Sequence, residues 1–340
     1  MKPKLYIVTL EPIEKRYTKQ WYNYFYDEFS KYFNVEYIDG RKLGEINKGR
    51  FLDINKTNIW KADQVIRLSH LFNMCAIEDG DSFFFMDGWH FGITALDYMS
   101  KLNNIKTNIY AYWHAGSWDK WDFISQAGLT NTVRGTELSW LMTCKKNFVA
   151  TNFHKELIIN AFGMEWINKI KVVGFPMDWE HEIKKLNVKQ KEKENIVVFP
   201  HRIDKEKAPE IFDKVAKYLP EYKFIKTMDV TKNKKEYYEL LSKAKIVFSA
   251  SKQETFGIGT VEALMLGCIP VVPNNLAYVE LYNPIFQYDG IRTAVYKIRQ
   301  FMKYKDNKIQ KYINRNKLKL INQSKKSIER MAKVILNGRR

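Results

Sequence analysis

The chain has 340 residues and a formal net charge of +18 at pH 7. Its hydrophobic content of 45% excludes a disordered polar chain. It contains no run of about 18 apolar residues, so we expect no membrane-spanning helix. Met1 to Lys4 pass into a strand pattern without an apolar signal region, so we expect a cytoplasmic protein. The three cysteines lie in apolar contexts without zinc spacing, and we expect buried thiols.

Short apolar runs alternate with helical patterns in the N-terminal half. The predicted strands are Lys4–Leu10, Val35–Ile38, Ser82–Met86, Asn108–Trp113, Asn147–Thr151 and Lys171–Gly174. The predicted helices include Thr18–Lys31, Ala62–Ile77 and Glu137–Thr143. Alternation of this kind is typical of a parallel sheet with helices on both faces.

The same alternation resumes after a charged stretch, Trp179 to Glu194, which we predict to be a solvated connector. The strands predicted there are Ile196–Phe199, Lys223–Thr227, Ile246–Ser249 and Ile269–Val272. The helices predicted there are Pro209–Tyr218, Lys234–Lys243 and Gly259–Leu266. Apolar residues then recur at helical spacing from Ile309 to Ile335. The sequence therefore predicts an α/β fold in two domains with a helical tail.

The positive charge is concentrated in the tail. Residues 303–340 hold 13 Lys or Arg and two acids, a net charge of +11. A concentrated basic element suits a polyanion, either nucleic acid or an anionic membrane surface. A solvated helix face in a lysine-rich protein is the alternative.

Residues 251–272 carry the most informative pattern of the chain. Glu254 and Glu262 stand on either side of a turn that contains Gly257. A helix N-terminus after such a turn offers backbone N–H groups and a positive dipole end to a phosphate. Glu254 can accept hydrogen bonds from sugar hydroxyls, and Glu262 can clamp a ribose diol. Because Glu262 replaces the third glycine of a dinucleotide fingerprint, a dehydrogenase site is disfavoured. The pattern predicts a sugar-nucleotide pocket, with an ordinary strand–turn–helix as the alternative.

This pattern resembles the spaced-glutamate motif of retaining glycosyltransferases of the glycogen-synthase-like and sucrose-synthase-like group. That group has two Rossmann-like domains facing a cleft, the GT-B fold. Residues 197–210 resemble the strand, arginine and lysine that open the family's donor domain, and residues 170–178 resemble its interdomain boundary. The resemblance implies an acceptor domain over residues 1–177 and a nucleotide-sugar domain over 178–305. It also implies that the basic helical segment 306–340 crosses back to the first domain.

The resemblance implies roles at the donor site. Arg202 and Lys207 match the cations that neutralise the donor diphosphate, where negative charge builds as the glycosidic bond breaks. Front-face attack needs no carboxylate nucleophile, so Glu254 would position the sugar. We expect no metal and no cofactor beyond the nucleotide sugar, with a UDP-sugar as first choice. Donor contacts are also expected along the turn, at Thr255, Phe256, Gly257 and Ile258.

Two strand ends in the N-terminal half carry further candidates, because ligands of such folds bind outside the carboxyl ends of the strands. His114 lies where the resemblance implies a histidine that contacts the donor sugar and the reaction centre, and a structural histidine is the alternative. Asp87 is a candidate for acceptor binding or for a catalytic base. An aspartate in a turn before glycine is the alternative there.

The acceptor is predicted from the aromatic residues near His114 and from the basic tail. We expect acceptor contacts at Trp89, Trp118 and Asp119, since an extruded base needs an aromatic slot and a basic backbone track. The chain resembles viral enzymes that glycosylate hydroxymethylated pyrimidines in DNA, so our first choice is bacteriophage DNA modification in the host cytoplasm. A lipid or polysaccharide glycosyltransferase at the membrane surface is one alternative. A non-catalytic nucleic-acid-binding protein with a degenerate transferase fold is another.

Overall fold

The computed structural model describes residues 2–14, 16–44, 53–304 and 307–339. The chain divides into two compact units. Unit 1 comprises Met1–Met177 and Lys325–Arg340, and unit 2 comprises Asp178–Ser324. The predicted boundary between residues 305 and 306 lies outside the described residues.

Unit 1 is built on a parallel sheet. Its described residues form six strands in the order β2-β1-β3-β4-β5-β6. The strands are β1 Lys4–Val8, β2 Asn34–Ile38, β3 Ser82–Phe85, β4 Asn108–Tyr112, β5 Lys146–Val149 and β6 Ile170–Val172. The helices are α1 Tyr17–Phe29, α2 Ile54–Asn73, α3 Gly92–Leu102, α4 Phe123–Gln126, α5 Thr130–Thr143 and α6 Asn152–Phe162, with the last helix of the chain, α15 Ser327–Gly338. Strand β3 is buried at every position, as expected of a strand covered on both faces.

Unit 2 repeats this plan. The part of it that the structure describes has five parallel strands in the order β11-β10-β9-β7-β8. The strands are β7 Glu194–Phe199, β8 Lys223–Lys226, β9 Ala244–Phe248, β10 Ile269–Pro273 and β11 Gln287–Tyr288. The helices are α7 Trp179–Lys185, α8 Pro209–Lys217, α9 Thr227–Val230, α10 Lys234–Lys243, α11 Ile258–Met265, α12 Tyr278–Leu281, α13 Ile291–Lys303 and α14 Asn307–Lys325. The two parallel sheets confirm the predicted α/β class.

Every predicted strand is present, with each end within two residues of its prediction. The sequence analysis did not name three helices of ordinary length, α3, α6 and α13. The predicted solvated connector was wrong at its start, because α7 begins there and buries Trp179. The indole of Trp179 donates to Ser324 at 2.9 Å and stacks on Phe256. Cys144 and Cys268 are buried as predicted, but Cys75 is exposed in the turn after α2.

The basic tail forms two helices rather than one segment. Helix α14 belongs to unit 2, and α15 belongs to unit 1. Helix α15 buries Ile328, Met331 and Ile335 along one face, and the Ile335 carbonyl accepts from the Tyr110 hydroxyl at 3.4 Å. Helix α14 buries its own apolar face, with Ile309, Ile313 and Leu320. The two helices therefore pack separately, each in its own unit. Among the described helices, none is long and apolar enough to cross a membrane.

We predict that Ile335→Ala destabilises unit 1. Ile335 is fully buried, and truncation of such a side chain costs about 2–5 kcal/mol through lost burial and the cavity left behind. Urea denaturation of the full chain measures the free energy of unfolding. Leu318→Ala is the control, because Leu318 on α14 is 60% exposed. Equal effects of the two substitutions would contradict an integral role for α15.

Candidate functional site

In both sheets, the first strand of the unit has later strands on both of its sides, so the strand order reverses there. In unit 2, β8 and β9 lie on opposite sides of β7, and in unit 1, β2 and β3 lie on opposite sides of β1. Ligands of such sheets bind outside the carboxyl ends of the strands at this switch point. Arg202 and Lys207 follow β7 and Glu254 follows β9, whereas Asp87 follows β3 and His114 follows β4. The predicted residues therefore fall at or beside the two switch points.

Glu254 and Lys207 form the centre of the candidate site in unit 2. The Lys207 ammonium lies 3.0 Å from Oε2 of Glu254, and it also donates to the Gln253 carbonyl at 2.8 Å. The other carboxylate oxygen, Oε1, accepts from the backbone N–H of Gly257 at 3.1 Å. Both side chains are mostly buried, with 12% and 15% exposed for Lys207 and Glu254. The structure thus brings together two predicted residues that are far apart in sequence.

Glu254 is held as a carboxylate. Burial alone would raise its pKa, but the Lys207 ammonium, His201 and the N–H of Gly257 outweigh burial and lower the pKa below its ordinary 4.5. Burial and these three contacts thus act in opposite directions on this pKa, and the contacts together have the larger effect. The group is ionised at neutral pH and can accept hydrogen bonds from a ligand.

The turn before α11 needs glycine at two positions. Gly257 precedes the helix with φ of +83°, a left-handed conformation that favours glycine. A Cβ at Gly259 would meet the Pro200 carbonyl at 2.9 Å, so glycine lets the start of α11 approach the loop after β7. Phe256 is buried, and Thr255 and Ile258 are partly exposed at the start of the helix. The free N–H groups at this helix start suit an anion.

Arg202 lies in the loop after β7 and is paired with acids. Its guanidinium lies 2.6 Å from Asp204 and 3.3 Å from Glu206. The neighbouring His201 is 6% exposed, and its Nε2 has no hydrogen-bond partner among the described residues. Burial lowers the pKa of His201 to about 3, with Glu254 opposing this shift and Lys207 and Arg202 acting in the same direction as burial. His201 is therefore neutral, and the sequence analysis did not single it out.

Glu262 is buried at the first turns of α11, with 4% of its side chain exposed. Its Oε1 accepts from the Tyr238 hydroxyl at 2.9 Å and forms an ion pair with Lys234. Lys234 also lies over the rings of Tyr237 and Tyr238, at 5.3 and 4.8 Å. The predicted ribose-binding carboxylate is therefore already neutralised by a lysine on α10.

His114 lies among aromatic rings after β4. Its Nε2 is 2.9 Å from the Met86 carbonyl, which only accepts, so Nε2 carries the proton. Nδ1 then accepts from the Tyr17 hydroxyl at 3.3 Å. Burial lowers the pKa of His114, partly opposed by Asp87 and the Met86 carbonyl. The ring also lies 5.0 Å from that of Trp21, so His114 is a neutral imidazole with both nitrogens engaged.

Asp87 is paired with Lys61, a residue of α2. The Lys61 ammonium lies 3.2 Å from Oδ2 of Asp87, and it also donates to the Trp89 carbonyl. Oδ1 of Asp87 accepts from the Trp89 N–H at 3.1 Å. Lys61 is only 8% exposed. The carboxylate of Asp87 therefore stabilises the turn that leads to Trp89, and its charge is offset by Lys61 of α2.

A buried carboxylate joins the loops after β3 and β4. Glu137 on α5 is fully buried, and its oxygens accept from the indole N–H of Trp89 at 2.9 Å and from the N–H of Ser117 at 2.8 Å. The Ser117 hydroxyl donates to the same carboxylate. Glu137 thereby fixes the loop of Asp87 relative to the loop of His114.

The three predicted acceptor residues make different contacts. The Trp89 ring packs at 5.2 Å from that of Trp140. Trp118 packs inward, against Trp113 and His154, and its Nε1 is buried with no partner in the described part of the chain. Asp119 is buried and accepts from the Trp121 N–H at 2.9 Å. Trp118 and Asp119 therefore hold the loop, and only Trp89 joins the Asp87 and Glu137 contacts.

Three charged residues of these sites were not singled out from the sequence: Lys61, Glu137 and Lys234. Each is a single charge on a helix, where a solvated side chain is the ordinary interpretation. A polar residue on an otherwise buried helix face was the available signal for Glu137, since its neighbours Trp140 and Leu141 are buried. Among the described residues, no group of three or more His, Cys, Asp or Glu could hold a metal ion.

We predict that Glu137→Ala destabilises unit 1 by about 3 kcal/mol or more, because it leaves three buried donors without their charged acceptor. Urea denaturation measures the loss. Glu156→Ala is the matched control, since Glu156 is exposed on α6 and such a surface change stays within about 0.5 kcal/mol. A loss no larger than that of the control would contradict the bracing role.

We predict that acid destabilises unit 1 partly through His154. This side chain is fully buried, neither ring nitrogen has a partner among the described residues, and burial lowers its pKa to about 3 from 6.5. Between these values the unfolded state binds a proton that the folded state does not, so stability falls as the pH falls, by at most about 1.4 kcal/mol per pH unit.

The variant His154→Leu should remove this proton uptake. The difference in unfolding free energy between about pH 6 and pH 5 should shrink by about 1 kcal/mol relative to the parent. Denaturation series at the two pH values measure it. Parallel pH dependences in parent and variant would show that His154 is not the titrating group.

Comparison with known proteins supports the fold. No protein-family model matches the sequence. A 70-residue segment is 33% identical to the tRNA-queuosine alpha-mannosyltransferase of Drosophila melanogaster, covering 21% of this chain and 19% of that protein. Sucrose-phosphate synthase from Thermosynechococcus elongatus matches over 99% of both chains with a TM-score of 0.67 and 11% identity.

Two further structures match with bound nucleotides. The catalytic domain of starch synthase IV from Arabidopsis thaliana, bound to ADP and acarbose, has a TM-score of 0.62 at 9% identity, over 98% of this chain and 99% of that one. The pneumococcal O-GlcNAc transferase GtfA, in complex with UDP and GlcNAc, has a TM-score of 0.52 at 14% identity. That match covers 82% of this chain and 60% of the transferase. Identities this low show the fold alone, and the chain has the GT-B fold of two Rossmann-like domains, as the sequence resemblance implied.

Proposed function

We propose that the chain is a retaining glycosyltransferase that moves a sugar from a nucleotide sugar to a hydroxyl on a modified base of nucleic acid. The observation that carries the proposal is the contact of Glu254 with Lys207 and with the N–H of Gly257. A carboxylate for sugar hydroxyls, a cation for phosphate and a helix N-terminus meet there in unit 2.

The donor phosphates interact with the cations and with the start of α11. Lys207 and Arg202 offset the negative charge that develops on the leaving diphosphate, and the N–H of Ile258 at the start of α11 adds the helix dipole, while the N–H of Gly257 holds Glu254. Thr255 and Phe256 complete this turn. Glu254 accepts hydrogen bonds from the hydroxyls of the transferred sugar and fixes its orientation.

The reaction proceeds on one face of the sugar. The bond between the anomeric carbon and the phosphate oxygen breaks, and its electron pair leaves with the phosphate. The acceptor oxygen bonds to the same face of the anomeric carbon, and its proton goes to the departing phosphate oxygen. Configuration is thus retained without a carboxylate nucleophile, which is consistent with Glu254 being bound to Lys207.

Glu262 binds the ribose of the donor, for which we propose a UDP-sugar. Its carboxylate is buried and ionically paired, and Lys234 beside it adds a cation at the nucleoside end. Of the two nucleotide-bound structures described above, one carries UDP and the other ADP, and the UDP-bound transferase supports uridine as first choice.

Unit 1 binds the acceptor. Asp87 and Trp89 provide a carboxylate and an aromatic ring on one loop, and His114 provides a neutral imidazole on the next. Trp118 and Asp119 hold that loop in place. An aromatic ring beside polar groups is what a base taken out of its stack requires.

The acceptor we favour is a hydroxymethyl pyrimidine in DNA, with the basic tail as part of the nucleic-acid contact. A second acceptor is a modified tRNA nucleoside, because the segmental match is to an enzyme named for tRNA queuosine. The same match favours a nucleic-acid acceptor over a lipid or polysaccharide.

The decisive experiment incubates the protein with labelled UDP-, ADP- and GDP-sugars and with three acceptors: hydroxymethylated DNA, queuosine-containing tRNA and unmodified DNA. Label in hydroxymethylated DNA alone supports the first choice, and label in tRNA alone supports the second. Lys207→Met and Glu254→Gln should abolish the transfer. If no sugar reaches any of these nucleic acids, but label appears in a parallel reaction with a lipid or glycan fraction as acceptor, the acceptor assignment is wrong.

We predict that transfer continues in EDTA. Two cations and a helix N-terminus already offset the phosphate charge, so a divalent ion adds no required contact. The measurement compares initial rates with and without chelator in metal-free buffer. Complete loss of activity, restored by Mn²⁺ or Mg²⁺, would contradict this assignment of the phosphate site.

We predict that Glu262→Gln weakens binding of the nucleotide sugar about 10- to 100-fold, since a hydrogen bond to a charged group contributes roughly 1.5–3 kcal/mol. Calorimetric titration with the donor nucleotide measures it. Glu210→Gln is the matched control, because Glu210 is 54% exposed on α8. Unchanged affinity in a folded Glu262 variant would remove the ribose role.

A further inference from the structure

The structure divides the positive charge of the tail into two kinds. Several cations of α15 make contacts within unit 1: Arg330 donates to the Val173 carbonyl at 2.9 Å, and Arg339 donates to the Lys4 carbonyl at 3.1 Å. Lys333 pairs with Glu329 on its own helix. These cations stabilise the docking of α15.

Helix α14 is different. Residues 307–325 contain six Lys or Arg and no Asp or Glu. Lys308, Lys311, Arg315 and Lys319 are all exposed, and their spacing of three to four residues puts them on one face of the helix. They span about 16 Å along its axis at 1.5 Å per residue. We call this surface the α14 stripe.

The α14 stripe has a fixed orientation. The opposite face of the helix is buried in unit 2 through Ile309, Ile313 and Leu320. On the same buried face, the Asn316 amide donates to the Leu281 carbonyl at 2.7 Å and accepts from the Asn283 N–H at 3.1 Å. The helix therefore cannot turn its cations inward.

Within the described part of the chain, no acid compensates the charges of the stripe. No described residue forms an ion pair or hydrogen bond with the side chains of Lys308, Lys311 or Arg315. Lys319 donates to the Glu280 backbone carbonyl, which carries no full charge. An uncompensated row of cations attracts a polyanion and loses that attraction as salt rises.

The residues that flank the stripe favour nucleic acid over an anionic membrane surface as the partner. Gln310, Asn314 and Asn322 are exposed beside the cations, and amide side chains join Lys and Arg as common donors to phosphate and sugar oxygens of nucleic acid. A helix that inserts into a membrane surface presents its apolar face to the lipid. The apolar face of α14 is buried in the protein, and Leu318 is the one large apolar side chain exposed on the described part of this helix.

We infer that the α14 stripe is a nucleic-acid backbone contact, and that it holds the acceptor strand or duplex through its phosphates without reading sequence. The inference rests on the proposed function only in taking the acceptor to be nucleic acid. Duplex DNA carries on the order of ten phosphate charges along about 16 Å, at one per roughly 1.7 Å. The stripe therefore meets enough phosphates to engage all of its cations.

The test measures binding of the full-length protein to a labelled DNA duplex between about 0.05 and 0.2 M salt. The triple variant Lys308→Gln, Lys311→Gln, Arg315→Gln should lower the slope of log affinity against log salt by about two to three, because each lost phosphate contact removes about 0.9. Its affinity at low salt should fall at least tenfold. Its calorimetric affinity for the nucleotide sugar should match that of the parent.

The control triple is Lys31→Gln, Lys101→Gln, Lys333→Gln. These three lysines are exposed, and each pairs with an acid three or four residues earlier in the chain, so the control removes the same net charge from paired positions. It should change the slope by less than one. Equal effects of the two triples, an unchanged stripe variant, or stripe-dependent binding to phosphatidylserine vesicles without DNA binding would overturn the inference.

The DNA-binding measurement tests this inference, and the sugar-transfer assay tests the proposed function. If the salt slope depends on the stripe but no donor gives sugar transfer, the α14 contact is supported and the enzymatic proposal is wrong. Normal transfer to DNA by a stripe variant whose salt slope is unchanged would keep the enzyme and remove the contact.

Discussion

The parallel direction of both sheets is the constraint on which the sites depend. Because every ladder among the described strands is parallel, the carboxyl ends of the strands meet at one edge of each sheet. The helix that follows a strand begins at that edge and presents its free N–H groups there. Gly259 permits a close approach between α11 and the loop after β7. Residues dispersed over 50 positions of sequence, from Arg202 to Glu254, are thereby held in neighbouring loops of one unit.

Three of the candidate carboxylates at these edges face a lysine. Glu254 meets Lys207, Glu262 meets Lys234 and Asp87 meets Lys61. A buried carboxylate without a partner would carry a desolvation cost of several kcal/mol and would take up a proton instead. Pairing with a lysine offsets that cost and fixes the geometry of all three groups. In the function proposed above, a diphosphate that shares Lys207 with Glu254 adds negative charge to an existing pair, and the start of α11 and the guanidinium of Arg202 offset that charge.

Much of the fold and part of the site could be predicted from the sequence. The strands are short apolar runs, so their positions followed from the apolar pattern, and the spacing of Glu254 and Glu262 around a glycine turn indicated the loop that we propose for the donor. The lysine partners Lys61 and Lys234 could not be found in this way, because a lysine on a helix has the same local pattern whether it meets solvent or a buried acid. Trp179 shows the converse: its charged neighbours indicated a solvated segment, whereas its indole is buried against Ser324 and Phe256. Tertiary contacts determine whether such side chains are buried or solvated, and these contacts leave no periodic pattern in a single sequence.

The cations of α14 cannot be explained by the stability of their own helix. Like charges at i and i+4, such as Lys311 and Arg315 or Arg315 and Lys319, each destabilise a helix by about 0.2–0.5 kcal/mol. Acids at neighbouring positions would remove that cost, and α14 has none. The helix persists because burial of Ile309, Ile313 and Leu320 contributes about 1.5–3 kcal/mol per side chain, which outweighs the repulsion. The helix thus carries a row of charge that no described residue offsets, and the partner we propose for that row is the phosphates of a nucleic-acid backbone.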